Sequence, residues 1–245
     1  MNILTIAQDV AAIVGTEQPE TLFNKTNTQS ILFLSLLRDA FESVRRYANW
    51  SQTMRTGSFY ILDGQTIYPL NEICEDFFSL VADTVYIQDA GKKVIGSVSP
   101  ESYMRTKSFK NNPLGECFYF RNNAFHFIHL PPVGSKIIFQ YQTKNIVSEP
   151  ELKNGERIYR SELLKDTDIP VFDAYLIKLG LIWRWYKRNG MPYDEEYQEY
   201  IKELKKAYSA DRMIENISLL GSGVGDFWGG LNNLGGVHVI SQKTA

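Results

Sequence analysis

The spacing of apolar residues changes twice along this chain, from a helical period to a strand period and back again. From Phe33 to Tyr47, apolar residues recur at intervals of four, three, four and three, and the same intervals recur from Phe172 to Tyr186. These intervals place apolar side chains on one face of an α-helix. The stretch between them carries short aromatic and β-branched runs separated by turn residues, which is typical of antiparallel strands. The order predicts an α+β fold with helices at both ends.

Four helical segments are predicted, at residues 4–14, from Phe33 to near Asn49, from near Asp168 to 188, and from about Tyr193 to Ile217. The first is expected to end where Gly15 follows. The third is expected to begin near Asp168 because an Asx cap is followed by Pro170. Gly180 inside this helix indicates close contact with another helix, because glycine there costs about 1 kcal/mol relative to alanine.

Strand-like patterns fill the middle of the chain, at residues 58–62, 66–70, 84–88, 93–96, 117–121, 124–130 and 136–143. Asp63-Gly64 predicts a hairpin between the first two strands, because such a turn needs residues that tolerate positive φ angles. Asn122-Asn123 predicts a second tight turn, and Pro131-Pro132-Val133-Gly134 predicts a third. We therefore expect a continuous antiparallel β region.

This order of elements predicts a helical bundle built from both ends of the chain, with an antiparallel β insertion and an extended glycine-rich C-terminal tail. The predicted boundaries are a helical domain in two halves, 1–55 and 165–217, a β insertion at 56–164, and a docking tail at 218–245.

Composition narrows the class of protein. The 245 residues are 44% apolar, and the net charge of −2 argues against a generally basic nucleic-acid surface. No window approaches the roughly 18 unbroken apolar residues of a membrane helix, and the start lacks the basic region of a signal peptide. We expect the protein to stay where it is made. Cys74 and Cys117 are predicted to be free thiols, because their spacing matches no metal-binding motif and a cytosol is reducing.

The C-terminal tail is rich in glycine, with seven between residues 221 and 236. A phosphate-binding loop needs a strand before it and a helix after it, whereas here a helix precedes and more glycine follows. We expect a docking tail instead, in which large apolar side chains bury against a neighbouring subunit or another partner and offset the ordering entropy. The predicted docking residues are Phe227, Trp228, Leu231 and Leu234.

The sequence predicts no catalytic residue, no cofactor and no metal site. His126 and His129 differ by three positions within a predicted strand, so they face opposite sides and cannot share a metal ion. The acidic run Asp194-Glu195-Glu196 falls in a first helical turn, where carboxylates complement the helix dipole.

Two groups of side chains leave alternatives open. Arg184, Lys187 and Arg188, with Arg45 and Arg46, are most simply helix-end surface charge, and the alternative is a face that touches DNA or an acidic partner. The aromatic residues of the β region are most simply core, and the alternative is a platform for a glycan. Alternation places Phe118 and Phe120 on one face of their strand and Tyr119 on the other.

A set of short motifs, in order along nearly the whole chain, resembles the head-to-tail adaptor (connector, or neck ring) proteins of short-tailed bacteriophages. These motifs are the opening helix, Tyr47-Ala48-Asn49-Trp50, Tyr68-Pro69-Leu70, Leu130-Pro131-Pro132 with a strand ending near Tyr141, and Leu179-Gly180-Leu181-Ile182-Trp183-Arg184-Trp185 followed by Tyr193 and Tyr197.

The resemblance implies a non-enzymatic virion protein of the neck, made in the host cytoplasm. It implies a homo-oligomeric ring, expected to be dodecameric, that binds the portal protein on one side and a tail or nozzle protein on the other. Double-stranded DNA would pass through its channel without sequence-specific binding, and the C-terminal extension would reach the portal. The alternative hypothesis is a phage tail module that binds a glycan through the aromatic residues of the β region.

Overall fold

The computed structural model describes residues 1–107, 115–153 and 156–220. Its helices are α1 (Ile3–Ile13), α2 (Thr28–Tyr47), α3 (Leu70–Ile73), α4 (Pro100–Lys107), α5 (Ala174–Arg188) and α6 (Asp194–Leu220), with a 3₁₀ turn at Ser51–Thr53. Its strands are β1 (Met54–Tyr60), β2 (Ile67–Pro69), β3 (Phe77–Leu80), β4 (Tyr86–Ile87), β5 (Lys92–Lys93), β6 (Cys117–Arg121), β7 (Ala124–His129), β8 (Lys136–Thr143), β9 (Val147–Lys153), β10 (Glu156–Arg160) and β11 (Ile169–Pro170).

The described strands form three antiparallel sheets. In the first, β8 pairs with β1 on one side and with β3 and β4 on the other, and β4 also pairs with β5. The second has the order β2-β7-β6, and the third has the order β10-β9-β11. The strands therefore make separate small sheets rather than one continuous β region.

The prediction of a helical bundle with a β insertion was wrong. The fold is α+β, but three antiparallel sheets dominate it, and α1, α3 and α4 are short. The apolar faces of α2 and α5 are covered partly by Ile146, Val147 and Leu163, which come from strand β9 and the loops around the third sheet. Apolar spacing predicts which face of a helix is buried, and it does not predict whether a helix or a sheet covers that face.

The predicted hairpin at Asp63-Gly64 was also wrong. Strand β1 pairs with β8, from Met54 opposite Gln142 to Tyr60 opposite Lys136, whereas β2 pairs with β7. The chain therefore leaves one sheet and enters another between β1 and β2. A turn of favourable sequence permits a hairpin, but β8 gives β1 seven paired residues, and the three-residue β2 cannot match that number.

Helix α5 begins later than predicted. Its cap is Asp173, whose side chain accepts a hydrogen bond from the Tyr175 N–H at 2.9 Å. Asp168 is instead fully buried, where it pairs with Arg160 and accepts hydrogen bonds from the N–H groups of Leu164 and Lys165. Both positions carry the same cap residue type, so the sequence alone does not distinguish them.

Several local predictions are confirmed. Asn122 and Asn123 have φ angles of 50° and 53°, which are the positive values of the predicted tight turn between β6 and β7. Gly15 follows α1 with a φ of 71°. Cys74 and Cys117 are free and buried. The domain boundaries at 55, 164 and 217 stay predictions.

Two apolar cores hold the described residues together. The first lies among α1, α2, α5 and α6 and includes Trp50, which is buried and donates its indole N–H to the Val44 carbonyl at 2.7 Å. The second is an aromatic cluster between the first and second sheets. Helix α6 is also joined to the 3₁₀ turn before β1, because the buried carboxylate of Asp211 accepts from both the backbone N–H and the hydroxyl of Ser51.

Candidate interaction surface at the end of helix α5

The three cations predicted from the sequence lie together. Arg184, Lys187 and Arg188 occupy the last turns of α5 and line a cleft of about 390 Å³. Leu36 and Asp39 of α2 form the opposite wall, and Trp183 completes the lining. The cleft therefore joins the C-terminal end of α5 to the middle of α2.

Arg184 is held in place by its own helix. Its Nη1 donates a hydrogen bond to the Gly180 carbonyl at 2.7 Å, and its guanidinium carbon lies 4.3 Å from the centre of the Trp183 ring. A Cβ atom at Gly180 would lie 3.3 Å from that Nη1 and 3.3 Å from the Ala40 Cβ. The predicted close contact at Gly180 is confirmed, and the glycine also leaves room for the arginine.

The charge of Arg184 is partly withdrawn from water. Burial lowers the pKa of Arg184, while the nearby Tyr200 and Asp39 side chains act in the opposite direction. An arginine starts from a pKa so high that this lowering leaves it protonated at neutral pH. Arg184 therefore supplies a fixed positive charge, which costs little further ordering when a partner binds.

An aromatic cluster beneath these cations was missed from the sequence. The Trp183 ring centre lies 5.2 Å from that of Tyr197 and 6.2 Å from that of Tyr193. The Lys187 ammonium lies 5.7 Å from the centre of the Trp183 ring and 5.8 Å from that of Tyr193, within the range of cation–π attraction. The spacing held a usable signal, because Trp183 and Lys187 are four residues apart on α5.

The cleft carries more positive than negative charge. Lys187 and Arg188 are exposed and, within the residues that the structure describes, neither forms an ion pair. Asp39 is the carboxylate that lines the cleft beside the three cations. The surface can therefore attract an anion, and its exposed ammonium and guanidinium groups are free to donate to oxygen atoms.

The other basic pair lies elsewhere. Arg45 and Arg46 both pair with Glu42 and line a different cleft, beside β3. The five basic residues therefore form two groups, one of which is neutralised in part by its own helix. The predicted docking residues Phe227, Trp228, Leu231 and Leu234 lie outside the described residues.

The aromatic residues of the β region are mostly core. Phe118, Phe125, Phe127, Phe139 and Tyr141 are buried. The predicted alternation is confirmed, because Phe118 and Phe120 both contact Phe125 while Tyr119 contacts Tyr103 and His126 on the other face. These five rings are therefore not available as a glycan platform.

Metal-binding clusters and membrane-spanning helices are both absent from residues 1–107, 115–153 and 156–220. No group of three or more His, Cys, Asp or Glu side chains there is placed to hold a metal ion. None of the helices in the same residues has the length and apolar character needed to cross a membrane.

The chain was compared with protein-family models and with curated proteins. No protein-family model matches the chain, and no curated protein matches it either.

Proposed function

We propose that this chain is a structural, non-enzymatic protein of a short-tailed phage virion. In this role it forms a homo-oligomeric ring in the neck, binds the portal protein and a tail or nozzle protein, and surrounds the passage of double-stranded DNA. The ordered set of motifs that resembles the adaptor proteins supports this role. Those motifs include Trp50 and Leu70, which are buried, and Gly180, at a close helix contact. The resemblance therefore concerns packing positions, as expected for a structural protein.

The main observation in favour of this role is that three cationic side chains and one carboxylate line the cleft at the end of α5. Lys187 and Arg188 are exposed beside the held guanidinium of Arg184. Contacts of such groups with phosphates carry no sequence information and weaken as salt rises. A small number of them on a chain of net charge −2 favours loose contact with DNA over tight binding. Loose, sequence-independent contact is what a passage for DNA requires.

Assembly is the first test. Full-length protein mixed with purified portal protein of the same phage should form a ring on the portal, seen as increased light scattering and as added density in electron microscopy. Deletion of residues 221–245 should abolish this complex, because the predicted anchors Phe227 and Trp228 are lost. The truncated protein should keep the circular dichroism spectrum of the full-length protein, which would show that it has lost docking and not folding. The proposed role would be refuted if the full-length protein formed no complex with the portal protein. It would also be refuted if virions assembled normally with the truncated protein.

The salt dependence of DNA binding is the second test. For duplex DNA the logarithm of the binding constant falls with the logarithm of salt concentration, with a slope of about −0.9 per phosphate neutralised. Replacing Arg188 by alanine should reduce the magnitude of this slope by about 0.9. Lys205, an exposed lysine on α6, provides the matched control, and its replacement by alanine should leave the slope unchanged. Fluorescence anisotropy with a labelled duplex measures both, and equal slopes for the two variants would exclude the α5 surface.

A further inference from the structure

Strand β1 has an unpaired edge. It is the terminal strand of the first sheet, where it pairs with β8 and, among the described residues, with no other strand. Just after the strand, the Ile61 N–H donates to the Ser135 carbonyl on the β8 side at 2.9 Å. Backbone groups alternate in direction along a strand, so the N–H and C=O groups of Thr56, Ser58 and Tyr60 point away from β8.

This edge is open to water. Thr56, Ser58 and Tyr60 are all exposed, and Tyr60 is 58% exposed. Ile138 and Gln140 lie opposite Ser58 and Thr56 on β8, and they are only partly exposed because β8 has neighbours on both sides. The part of the chain that the structure describes therefore leaves room for a further strand beside β1.

The other described edge strands carry features that hinder strand addition. Charged side chains, proline, bulges and very short length all protect a sheet edge. Strand β5 is two lysines, β2 and β11 are short and contain proline, β3 has four residues and a register shift, and β10 contains two arginines and a glutamate. Residues 95–98 cover β6, where the Val98 N–H donates to the Phe118 carbonyl at 3.1 Å. By contrast, β1 has seven residues in unbroken register, and residues 56–60 carry no charge and no proline.

The C-terminal tail contains a strand-like run that fits such an edge. Val237-His238-Val239-Ile240-Ser241 follows two glycines and lies outside the described residues. Three of its five residues are β-branched and apolar, which favours a strand. The run has no Asp, Glu, Lys, Arg or proline, so its composition suits pairing with an uncharged strand.

This run can reach β1 of its own chain. The Asp211 carboxylate of α6 accepts from the Ser51 N–H at 2.9 Å, so α6 passes beside the start of β1. Leu220 lies about 14 Å further along α6, and Ser58 lies at most about 25 Å along the chain from Ser51. Residues 221–236 span up to about 53 Å when extended, which exceeds this separation. A strand supplied by the same chain also has a high effective concentration, which favours it over a second copy.

We propose that residues 237–241 pair with the free edge of β1 in the same chain and extend the first sheet by one strand. The main chain of the run satisfies the outward N–H and C=O groups of β1, as in other cases of strand addition. Its β-branched side chains lie beside Thr56 and Tyr60, and pairs of aromatic and β-branched residues stabilise neighbouring strands. Residues 221–236 are then tethered at both ends and present Phe227 and Trp228. This inference goes beyond the proposed ring function and holds whether or not the chain binds a portal.

Hydrogen exchange of backbone amides, followed by NMR on the isotope-labelled protein without portal, tests this pairing. The Thr56 and Ser58 amides should exchange at least tenfold more slowly in the full-length protein than in a shortened chain that ends at Gly236. A chain that ends at Ser241 is the matched control and should exchange as the full-length protein does. The Phe59 amide faces β8 and should stay slow in all three chains, which would show that the sheet remains folded.

Proline substitution tests the run itself. Val239→Pro combined with Ile240→Pro removes one N–H on each side of the run, so the β1 edge amides should exchange as fast as in the shortened chain. The same double change at Asn232 and Asn233, before the run, should leave the protection unchanged.

Equal exchange of the edge amides in the full-length and shortened chains would overturn the proposal. So would protection that survives the double proline change in the run, or that is lost in the control at Asn232 and Asn233. Unlabelled full-length protein added to the labelled shortened chain should not restore slow exchange. Restored protection would also overturn the proposal, because the strand would then come from a second copy.

Discussion

Replacing Asp168 by alanine should lower the free energy of unfolding by about 3–5 kcal/mol, the usual cost of breaking a buried ion pair from one side. The Asp168 side chain is fully buried and pairs with Arg160. It also accepts hydrogen bonds from the N–H groups of Leu164 at 2.9 Å and Lys165 at 3.1 Å. The alanine variant removes this acceptor from the partly buried Arg160 guanidinium, which keeps its ion pair with Glu149 at 3.3 Å, and from the two N–H groups. Water replaces the lost hydrogen bonds only in part.

Urea denaturation at neutral pH measures this loss. Asp168→Asn should lose less, because its amide oxygen still accepts from backbone N–H groups. Glu203→Ala is the matched control, since Glu203 forms a helix ion pair with the exposed Lys206 and such pairs contribute at most about 1 kcal/mol. Equal midpoints for Asp168→Ala and Glu203→Ala would show that the buried network does not stabilise the fold.

Replacing Phe125 by alanine should also lower the free energy of unfolding by about 3–5 kcal/mol. Phe125 is fully buried in β7, and its ring centre lies 5.0 Å from that of Phe118 in its own sheet. It lies 5.2 Å from Phe139 and 5.6 Å from Phe59, which belong to the first sheet. The ring therefore holds two sheets together, and its removal leaves a cavity that both sheets line.

The control for this cavity is Phe125→Leu, which should lose less because it keeps more of the buried volume. Differential scanning calorimetry of both variants measures the loss as a lowered unfolding temperature. An alanine variant that unfolds at the same temperature as the leucine variant would show that the sheets close around the gap at no cost.

The local elements could be predicted from the sequence, but the pairing of strands could not. Strands β6 and β8 lie at the predicted residues 117–121 and 136–143, because alternation and turn residues are local signals. The choice of β8 rather than β2 as the partner of β1 depends on residues 76 to 88 positions away. The third sheet was missed because β9 and β10 carry many charged residues and lack an apolar alternation.

The candidate sites also differ in how far the sequence predicts them, because one is built from neighbouring residues and the other from distant ones. Arg184, Lys187 and Arg188 could be grouped from the sequence because they lie within two turns of one helix. The cleft beside β3 that Arg45 and Arg46 line could not be predicted, because α2, β3, β8 and α6 each contribute to it.

The two hydrogen bonds from Ser51 to the Asp211 carboxylate have a mechanical consequence. Asp211 lies nine residues before the end of α6 at Leu220, which is about 14 Å along the helix axis. Ser51 lies where the chain passes from α2 to β1, and β1 is paired along its length with β8. Tension on the chain beyond Leu220 is therefore shared at this joint between the helices and the first sheet, so that neither core carries the load alone.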